Sequence, residues 1–184
     1  MVAHPSPPLM TVEEYLELEE NSPIKHEYID GHVYAMAGGT ADHSAIATNI
    51  TTILRTHLRG GSCRAFNSDM KVRLAARRYV YPDASVTCDP RDLADGKATF
   101  LRHPCVVMEV LSSSTESYDR GDKFDMYRAL ESIQAYVLVS TEHQEIEVRM
   151  RGADGTWRTQ LYDPGDDIAL ESIDLRVPVT AFYE

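Results

Sequence analysis

Hydrophobic residues recur along the chain with two different periods, which predict a mixture of helices and strands. Helical spacing occurs after Thr11, after Thr40 and from about Thr115 to Leu130. Shorter apolar or alternating runs predict strands, and after Glu142 the chain contains only strands and turns. The predicted strands are a hairpin over Lys25 to Met36, then Arg64 to Leu74, Tyr79 to Val86, Cys105 to Leu111, Ala135 to Ser140, Glu145 to Met150, Trp157 to Tyr162 and a short last strand.

Local signals indicate where several of these elements begin or turn. Thr11 and Glu14 have the spacing of a capping box, and Thr40 can cap the second helix. Asp30 followed by Gly31 is a strong signal for a two-residue hairpin turn. No repeat or linker divides the chain, so its 184 residues predict one α/β domain over 1–184 with a β-rich C-terminal third. Within this domain we expect the Pro-rich residues 1–10 to be flexible.

An acidic residue interrupts the most apolar of the predicted strands. Glu109 lies within Cys105 to Leu111, where an unpaired, buried carboxylate would cost several kcal/mol. A second carboxylate, Asp83, follows Pro82 inside the predicted strand Tyr79 to Val86. Two acids on strands predict a pair that meets around a cation. The alternative is a single glutamate on an edge strand, hydrogen-bonded and without a chemical role.

Three further polar residues lie on predicted apolar faces. Lys123 lies on the apolar stripe of its helix, so its ammonium either extends to water or points at the acids. His43 faces inward one turn before Ile46, where a histidine is more often a satisfied core residue than a catalytic one. Glu27 lies inside the predicted hairpin and can face inward with Ile29.

Oxygen ligands dominate this candidate site. Glu27, Asp83 and Glu109 would suit Mg²⁺, which proteins typically hold with one or two carboxylates, waters and substrate phosphate. The set contains no cysteine, which disfavours zinc. The residues therefore predict a site for Mg²⁺ or Mn²⁺.

The distribution of charge qualifies the net charge of −11, which by itself disfavours a nucleic-acid partner. Between Arg55 and Arg78 there are seven basic residues and a single acidic residue, Asp69. This basic segment either contacts nucleic-acid phosphates or is a solvated strand pair that balances acidic neighbours. The candidates for nucleic-acid contact are Arg64, Lys71, Arg73, Arg77 and Arg78.

Cysteine usage and hydropathy predict a cytoplasmic protein with no membrane partner. The cysteine count is odd, at three, and no CxxC pair occurs, which argues against a disulfide framework and for a reducing environment. No apolar stretch reaches the roughly 20 residues that span a bilayer, and the N-terminus does not have the pattern of a signal peptide. Apolar residues in the C-terminal strands predict a possible homodimer; they are Val148, Met150, Trp157, Leu161 and Tyr162.

The ordered set of acids and lysine resembles the PD-(D/E)xK nuclease superfamily, and within it the Uma-two family of restriction-endonuclease-like proteins. The resemblance extends from about Thr11 to Arg149. The superfamily places lysine two positions after the strand glutamate, where this chain has Leu111, and Lys123 would take its place from the following helix. The matching segments are Glu27 to Gly31 with Tyr34 and Met36, His43, Tyr81-Pro82-Asp83, Val107 to Ser112, Asp119 with Lys123 and Tyr127, and Ala135 to Val139.

The resemblance implies a restriction-endonuclease-like core, in which helices flank a mixed central β-sheet, and a Mg²⁺- or Mn²⁺-dependent endonuclease acting on DNA. Asp83, Glu109 and the backbone carbonyl of Val110 would hold the metal. Lys123 would orient or deprotonate the attacking water or stabilise the transition state. Glu27 would bind a metal-bound water or a second ion, and His43 would contact the cluster or a phosphate.

Two other functions stay open. One is a nucleic-acid- or protein-binding module that has the same fold without catalysis. The other is a metal-dependent enzyme for a small phosphorylated substrate, which the acidic net charge leaves open.

Overall fold

The computed structural model describes residues 9–184. The described helices are α1 Val12–Asn21, α2 Ala41–His57, α3 Pro90–Leu93, α4 Glu116–Tyr118 and α5 Phe124–Arg128, with a π-helical segment, Asp119–Lys123, joining the last two. The described strands are β1 His26–Ile29, β2 His32–Ala35, β3 Arg64–Asn67, β4 Lys71–Ala75, β5 Arg78–Val80, β6 Ala84–Thr87, β7 Phe100–Leu101, β8 Pro104–Leu111, β9 Ala135–Ser140, β10 Ile146–Arg151, β11 Trp157–Tyr162, β12 Asp167–Leu170 and β13 Leu175–Pro178. Short 3₁₀ segments follow at Glu171–Ile173 and Val179–Phe182.

Two mixed sheets carry the core, and helices flank them as predicted. The five-stranded sheet has the order β2-β1-β5-β4-β7, and the six-stranded sheet has the order β11-β10-β9-β8-β6-β3. Apolar side chains of both sheets share one cluster, which also takes in Phe124, Met126 and Tyr127 from α5. The other face of the six-stranded sheet packs against α2, through side chains such as Ile50, and against the C-terminal segments. The prediction of a mixed α/β fold with a strand-rich C-terminal third is thus confirmed.

Two predicted strands are wrong, because each one divides between the two sheets. The segment Arg64 to Leu74 separates into β3 and β4 at a turn where Asp69 N–H donates to the side chain of Asn67. The segment Tyr79 to Val86 separates into β5 and β6 around Pro82, which has no N–H to donate to a strand partner. Apolar content therefore identified strand-forming residues, but it did not reveal that the chain changes sheets.

Local signals were more reliable. The hairpin of β1 and β2 turns at Asp30 and Gly31, whose φ angles of 52° and 104° are those of a type I′ turn. The predicted helix from Thr115 to Leu130 is interrupted at its centre by the π-helical segment. Residues 1–8 of the segment 1–10, which was predicted to be flexible, lie outside the described residues. At its end, Met10 N–H donates to the Gly31 carbonyl at 2.9 Å.

Lys71 is not exposed to solvent, although the sequence made it a candidate for nucleic-acid contact. Its side chain is buried, and its ammonium lies 5.6 Å and 5.8 Å from the ring centres of Tyr15 and Tyr81. Burial lowers the pKa of this lysine. The prediction was wrong because α1 and the two tyrosines cover this part of the five-stranded sheet.

The cysteines also depart from expectation, because Cys63 and Cys88 form a disulfide. Cys63 precedes β3 and Cys88 follows β6, and the antiparallel register of these strands places them opposite each other. The thiol of Cys105 lies 3.7 Å from the Cys88 sulfur, and burial raises its pKa to about 11. The cysteine count thus gives no support for a reducing environment, and the cytoplasmic location stays a prediction.

The apolar residues that suggested a dimer are mostly covered within the chain. Val148 and Tyr162 are buried, and Trp157 packs edge-on against Phe124 with ring centres 5.1 Å apart. Leu161 is exposed. The homodimer therefore stays a prediction without this support.

No described helix has both the length and the apolar content needed to cross a membrane.

The capping box of α1 provides a test of the local stability that the fold predicts. Glu14 N–H donates to the Thr11 hydroxyl at 3.2 Å, and Thr11 N–H donates to the Glu14 carboxylate at 2.7 Å. Thr11→Ala should lower the free energy of unfolding by about 1 kcal/mol, because it leaves a helix N–H without its acceptor. Urea denaturation measures the change. Thr11→Ser keeps the hydroxyl and should recover most of the loss, and equal stability of all three proteins would contradict the expectation.

Candidate functional site

A buried ammonium group lies at the centre of the candidate site. Lys123 Nζ is 2.9 Å from Glu109 Oε1, 3.5 Å from Glu27 Oε1 and 3.5 Å from Asp119 Oδ1. All four side chains are at least nine-tenths buried. Burial lowers the pKa of Lys123, but the surrounding carboxylates outweigh burial and hold it well above its ordinary value. The lysine therefore keeps its charge.

Glu109 is held by two donors on the inner face of β8. Lys123 contacts its Oε1 atom, and the Tyr127 hydroxyl donates to the same oxygen at 3.0 Å. Burial raises the pKa of Glu109 well above its usual value, although Lys123 acts in the opposite direction. The β8 strand is interior to its sheet, so the alternative of an inert glutamate on an edge strand is excluded.

Asp83 directly precedes β6, and its neighbours place it beside Glu109. The antiparallel register pairs Ala84 with Met108, so it continues to Asp83 opposite Glu109 on one face of the sheet. The Val110 backbone N–H donates to Asp83 Oδ2 at 2.8 Å. The structure thus brings together the two acids that the sequence predicted to be neighbours.

His43 approaches Asp83 from the first turn of α2. Thr40 caps this helix by accepting the His43 N–H at 3.2 Å, which orients the first turn. His43 Nε2 then lies 3.4 Å from Asp83 Oδ2. The hydrogen bond to Asp83 raises the pKa of His43, and partial burial opposes this effect. Of the two alternatives for His43, the structure favours a residue of the polar cluster over a core residue.

Glu27 reaches the cluster from the five-stranded sheet. Its Oε1 atom accepts the Tyr81 backbone N–H at 3.1 Å and lies near Lys123. Tyr81 belongs to the segment in which the chain passes from β5 to β6, just before Asp83. The segment between β5 and β6 therefore holds Glu27 through the Tyr81 backbone N–H and also contains Asp83.

Asp119 belongs to the cluster but was missed as a candidate from the sequence. Burial raises the pKa of its carboxyl group. It lies at the start of the π-helical segment, and its carbonyl accepts the Tyr136 hydroxyl at 2.9 Å. The spacing of four residues to Lys123 was the available signal, because residues at i and i+4 share a helix face.

The predicted nucleic-acid-binding residues differ in their exposure and in their partners. Arg78 pairs with Asp30 at 2.6 Å, and the Arg73 guanidinium lies 5.8 Å from the ring centre of Tyr79. Arg64 and Arg77 are exposed. Lys71 is buried away from solvent, so it is withdrawn from the set.

A cavity of about 450 Å³ opens onto the cluster. Asp83, Glu109, Lys123 and His43 all line it, and one wall is the N-terminal end of α2 with the preceding Gly38 and Gly39. Helix N-termini present unpaired N–H groups that favour anions. The cavity therefore combines a carboxylate cluster with a wall suited to a phosphate group.

The donor set fits a divalent cation in its chemistry. Four carboxylates, Glu27, Asp83, Glu109 and Asp119, surround one lysine and one histidine, which leaves an excess of negative charge. Oxygen donors of this type are what Mg²⁺ and Mn²⁺ take. Among residues 9–184, no three His, Cys, Asp or Glu side chains are already arranged to hold an ion.

Comparisons with known proteins identify the family and the fold of this chain. The family model Uma2, described as "Putative restriction endonuclease", matches residues 12–180. The uncharacterized protein slr1290 of Synechocystis is 44% identical over 187 residues, covering 100% of this chain and 97% of its own. A second Synechocystis protein, sll1609, is 29% identical over 150 residues, covering 81% and 85%. A crystal structure from Anabaena variabilis, titled as a "putative nuclease belonging to DUF820", has the same fold, with a TM-score of 0.77 at 20% identity, covering 95% and 97% of the two chains.

The contact between His43 and Asp83 predicts a pH-dependent contribution to stability. The pKa of His43 is higher in the folded than in the unfolded state. Its charged form therefore stabilises the fold fully below the unfolded-state pKa, and this stabilisation is lost as pH rises through the folded-state pKa. His43→Gln should therefore lower the free energy of unfolding most below about pH 6.5 and least under alkaline conditions. Urea denaturation of both proteins at several pH values measures this. A deficit that is constant with pH, or that grows as pH rises, would contradict it.

Proposed function

The chain belongs to the Uma2 family of "Putative restriction endonuclease" proteins, and we propose that it is a divalent-metal-dependent nuclease that hydrolyses phosphodiester bonds in DNA. The observation that carries the proposal is the buried cluster of Glu27, Glu109, Asp119 and Lys123, which opens with Asp83 into one cavity. Buried charge of this density is costly to fold, and it is expected where a protein needs it for chemistry.

Asp83, Glu109 and the Val110 carbonyl are the groups that would hold Mg²⁺ or Mn²⁺, with Glu27 next to them. The bound ion supplies a Lewis acid for the phosphate and lowers the pKa of a coordinated water. The protein positions these ligands through two strands of one sheet and a third strand from the other.

Lys123 acts as a donor and not as a base in this proposal. Three carboxylates surround its ammonium, so it keeps its proton and cannot accept one from water. A fixed positive charge at the cavity wall orients the attacking water and stabilises the negative charge that develops on phosphate. A lysine on the helix can thus serve in place of one at Leu111, because Lys123 lines the same cavity as Asp83 and Glu109.

His43 and the N-terminal end of α2 are the groups that would receive the phosphate. They line the cavity, and both favour an anion. The exposed residues Arg64 and Arg77 would contact the nucleic-acid backbone at a distance, with Arg73 and Arg78 contributing if they leave their present partners.

A binding module without catalysis is the second candidate. The observation that favours it is that Lys123 already pairs with Glu27, Glu109 and Asp119. In addition, no three acidic, histidine or cysteine side chains of residues 9–184 are arranged around an ion. A small phosphorylated substrate has no such observation in its favour.

Cleavage assays test the first candidate. With Mg²⁺ or Mn²⁺ the protein should hydrolyse DNA, whereas Ca²⁺ should support binding with little cleavage, because its coordination is looser. Asp83→Asn and Glu109→Gln should abolish cleavage, since each replaces a negatively charged oxygen ligand with a neutral and weaker amide oxygen. Lys123→Met should lower the rate by about 10² to 10⁴-fold, the scale of losing a positioned proton-transfer or charged group.

Glu147→Gln is the matched control for Glu109→Gln. Glu147 is also a buried glutamate on an interior strand, but it pairs with Arg120 and Arg149 outside the cluster. Its variant should cleave like the wild type. Equal activity in the wild type and the Asp83→Asn protein would reveal a contaminating nuclease. No activity on single- or double-stranded DNA or RNA with any of these ions would favour the binding module.

Metal binding is testable without substrate. Titration calorimetry with Mn²⁺ should give heat of binding for the wild type and for Glu147→Gln, and none for Asp83→Asn or Glu109→Gln. The reason is that both acids are needed to replace water around the ion. Equal binding by all four proteins would place the ion elsewhere, and no binding by the wild type would remove the metal from the proposal.

A further inference from the structure

A second cavity adjoins the one at the carboxylate cluster. It has a volume of about 660 Å³, within the range of small-molecule sites, and we name it the tyrosine pocket. Glu27, Tyr34 and Tyr118 line both cavities. A polymeric ligand that places one of its units at the carboxylate cluster can therefore place the neighbouring unit in the tyrosine pocket. The lining residues are Glu27, Ile29, Tyr34, Arg78, Tyr118, Asp122, Asp125 and Met126.

The lining suits a flat aromatic ligand with polar edges. Tyr34 and Tyr118 supply aromatic rings, and Ile29 and Met126 supply apolar surface. Tyr34 is 53% exposed on the edge strand β2, so its ring is accessible for stacking. Stacking on aromatic side chains is the usual way in which proteins hold unpaired bases.

The polar groups disfavour a phosphate in this pocket. Glu27, Asp122 and Asp125 are carboxylates, and the single basic residue of the lining, Arg78, already pairs with Asp30 at 2.6 Å. An anion would meet net negative charge. The same carboxylates can accept hydrogen bonds from the N–H and amino groups on the edge of a base.

Tyr118 adds a polar group that lacks a partner. Its hydroxyl is buried, and no residue in the described part of the chain hydrogen-bonds to it. Buried polar groups of this kind are rare and are often completed by a ligand or water. Tyr118 stands where the two cavities meet, so a nucleotide that spans them would pass beside it.

We propose that the tyrosine pocket binds an unpaired nucleobase of a single-stranded nucleic acid, next to a phosphate at the carboxylate cluster; the position of that phosphate rests on the proposed function. A base inside a duplex is stacked on both faces and cannot enter a concave pocket, so it must be single-stranded or extruded. The pocket therefore selects single-stranded over intact double-stranded substrate.

Fluorescence anisotropy with a short fluorescein-labelled oligonucleotide tests the proposal, with Ca²⁺ present so that binding is measured apart from cleavage. Single-stranded DNA and RNA should bind more tightly than the duplex. Tyr34→Ala should weaken single-strand binding by about 5- to 150-fold, the range for losing one stacked base, and Tyr34→Phe should keep it. An oligonucleotide with abasic sites should bind the wild type more weakly by a similar factor, and Tyr34→Ala should weaken that binding no further.

Leu161→Ala is the control. Leu161 is 55% exposed, nearly the same fraction as Tyr34, but it lies on the edge strand of the other sheet. It should bind like the wild type. Equal binding of duplex and single strand, no effect of abasic sites, or no nucleic-acid binding by the wild type would each overturn the pocket assignment. Base-dependent binding in a protein that never cleaves would support the pocket and refute the proposed hydrolysis.

Discussion

The ion cluster around Lys123 is the constraint on which the rest of the structure depends. Four buried ionic side chains cannot be solvated, so they must be satisfied by one another and by fixed hydrogen-bond donors. Glu27 and Glu109 come from different sheets, while Asp119 and Lys123 come from one helical segment. Those elements must meet within hydrogen-bonding distance, and the two sheets and the π-helical segment are arranged so that they do.

Two irregular segments, the π-helical segment and the segment between β5 and β6, supply groups to this cluster. A π-helical turn changes the angular relation between residues before and after it, and such turns are frequent at functional sites. Here it carries Asp119 and Lys123. Between β5 and β6, the Tyr81 N–H is left free of strand pairing and is used by Glu27. Each departure from regular structure thus provides a ligand or a donor to the cluster.

The two adjoining cavities differ in chemistry, and we propose that they hold neighbouring parts of one nucleotide chain. One has His43, a helix N-terminus and Lys123 beside carboxylates, and the other has tyrosine rings and exposed acids. Phosphate suits the first and a base suits the second. The negative net charge does not by itself exclude nucleic-acid binding, because local groups and not total charge determine where an anion can lie.

Features that depend on neighbouring residues were predictable from the sequence alone. Capping by Thr11 and Thr40, the Asp30-Gly31 turn and the buried strand around Glu109 follow from local chemistry and apolar periodicity, and the resemblance added the order of acids and lysine. Only the tertiary structure decided which sheet each strand joined, that Lys71 is covered, that Cys63 meets Cys88 and that Asp119 joins Lys123. These depend on contacts between distant segments, and a pattern within one segment does not record what will pack against it.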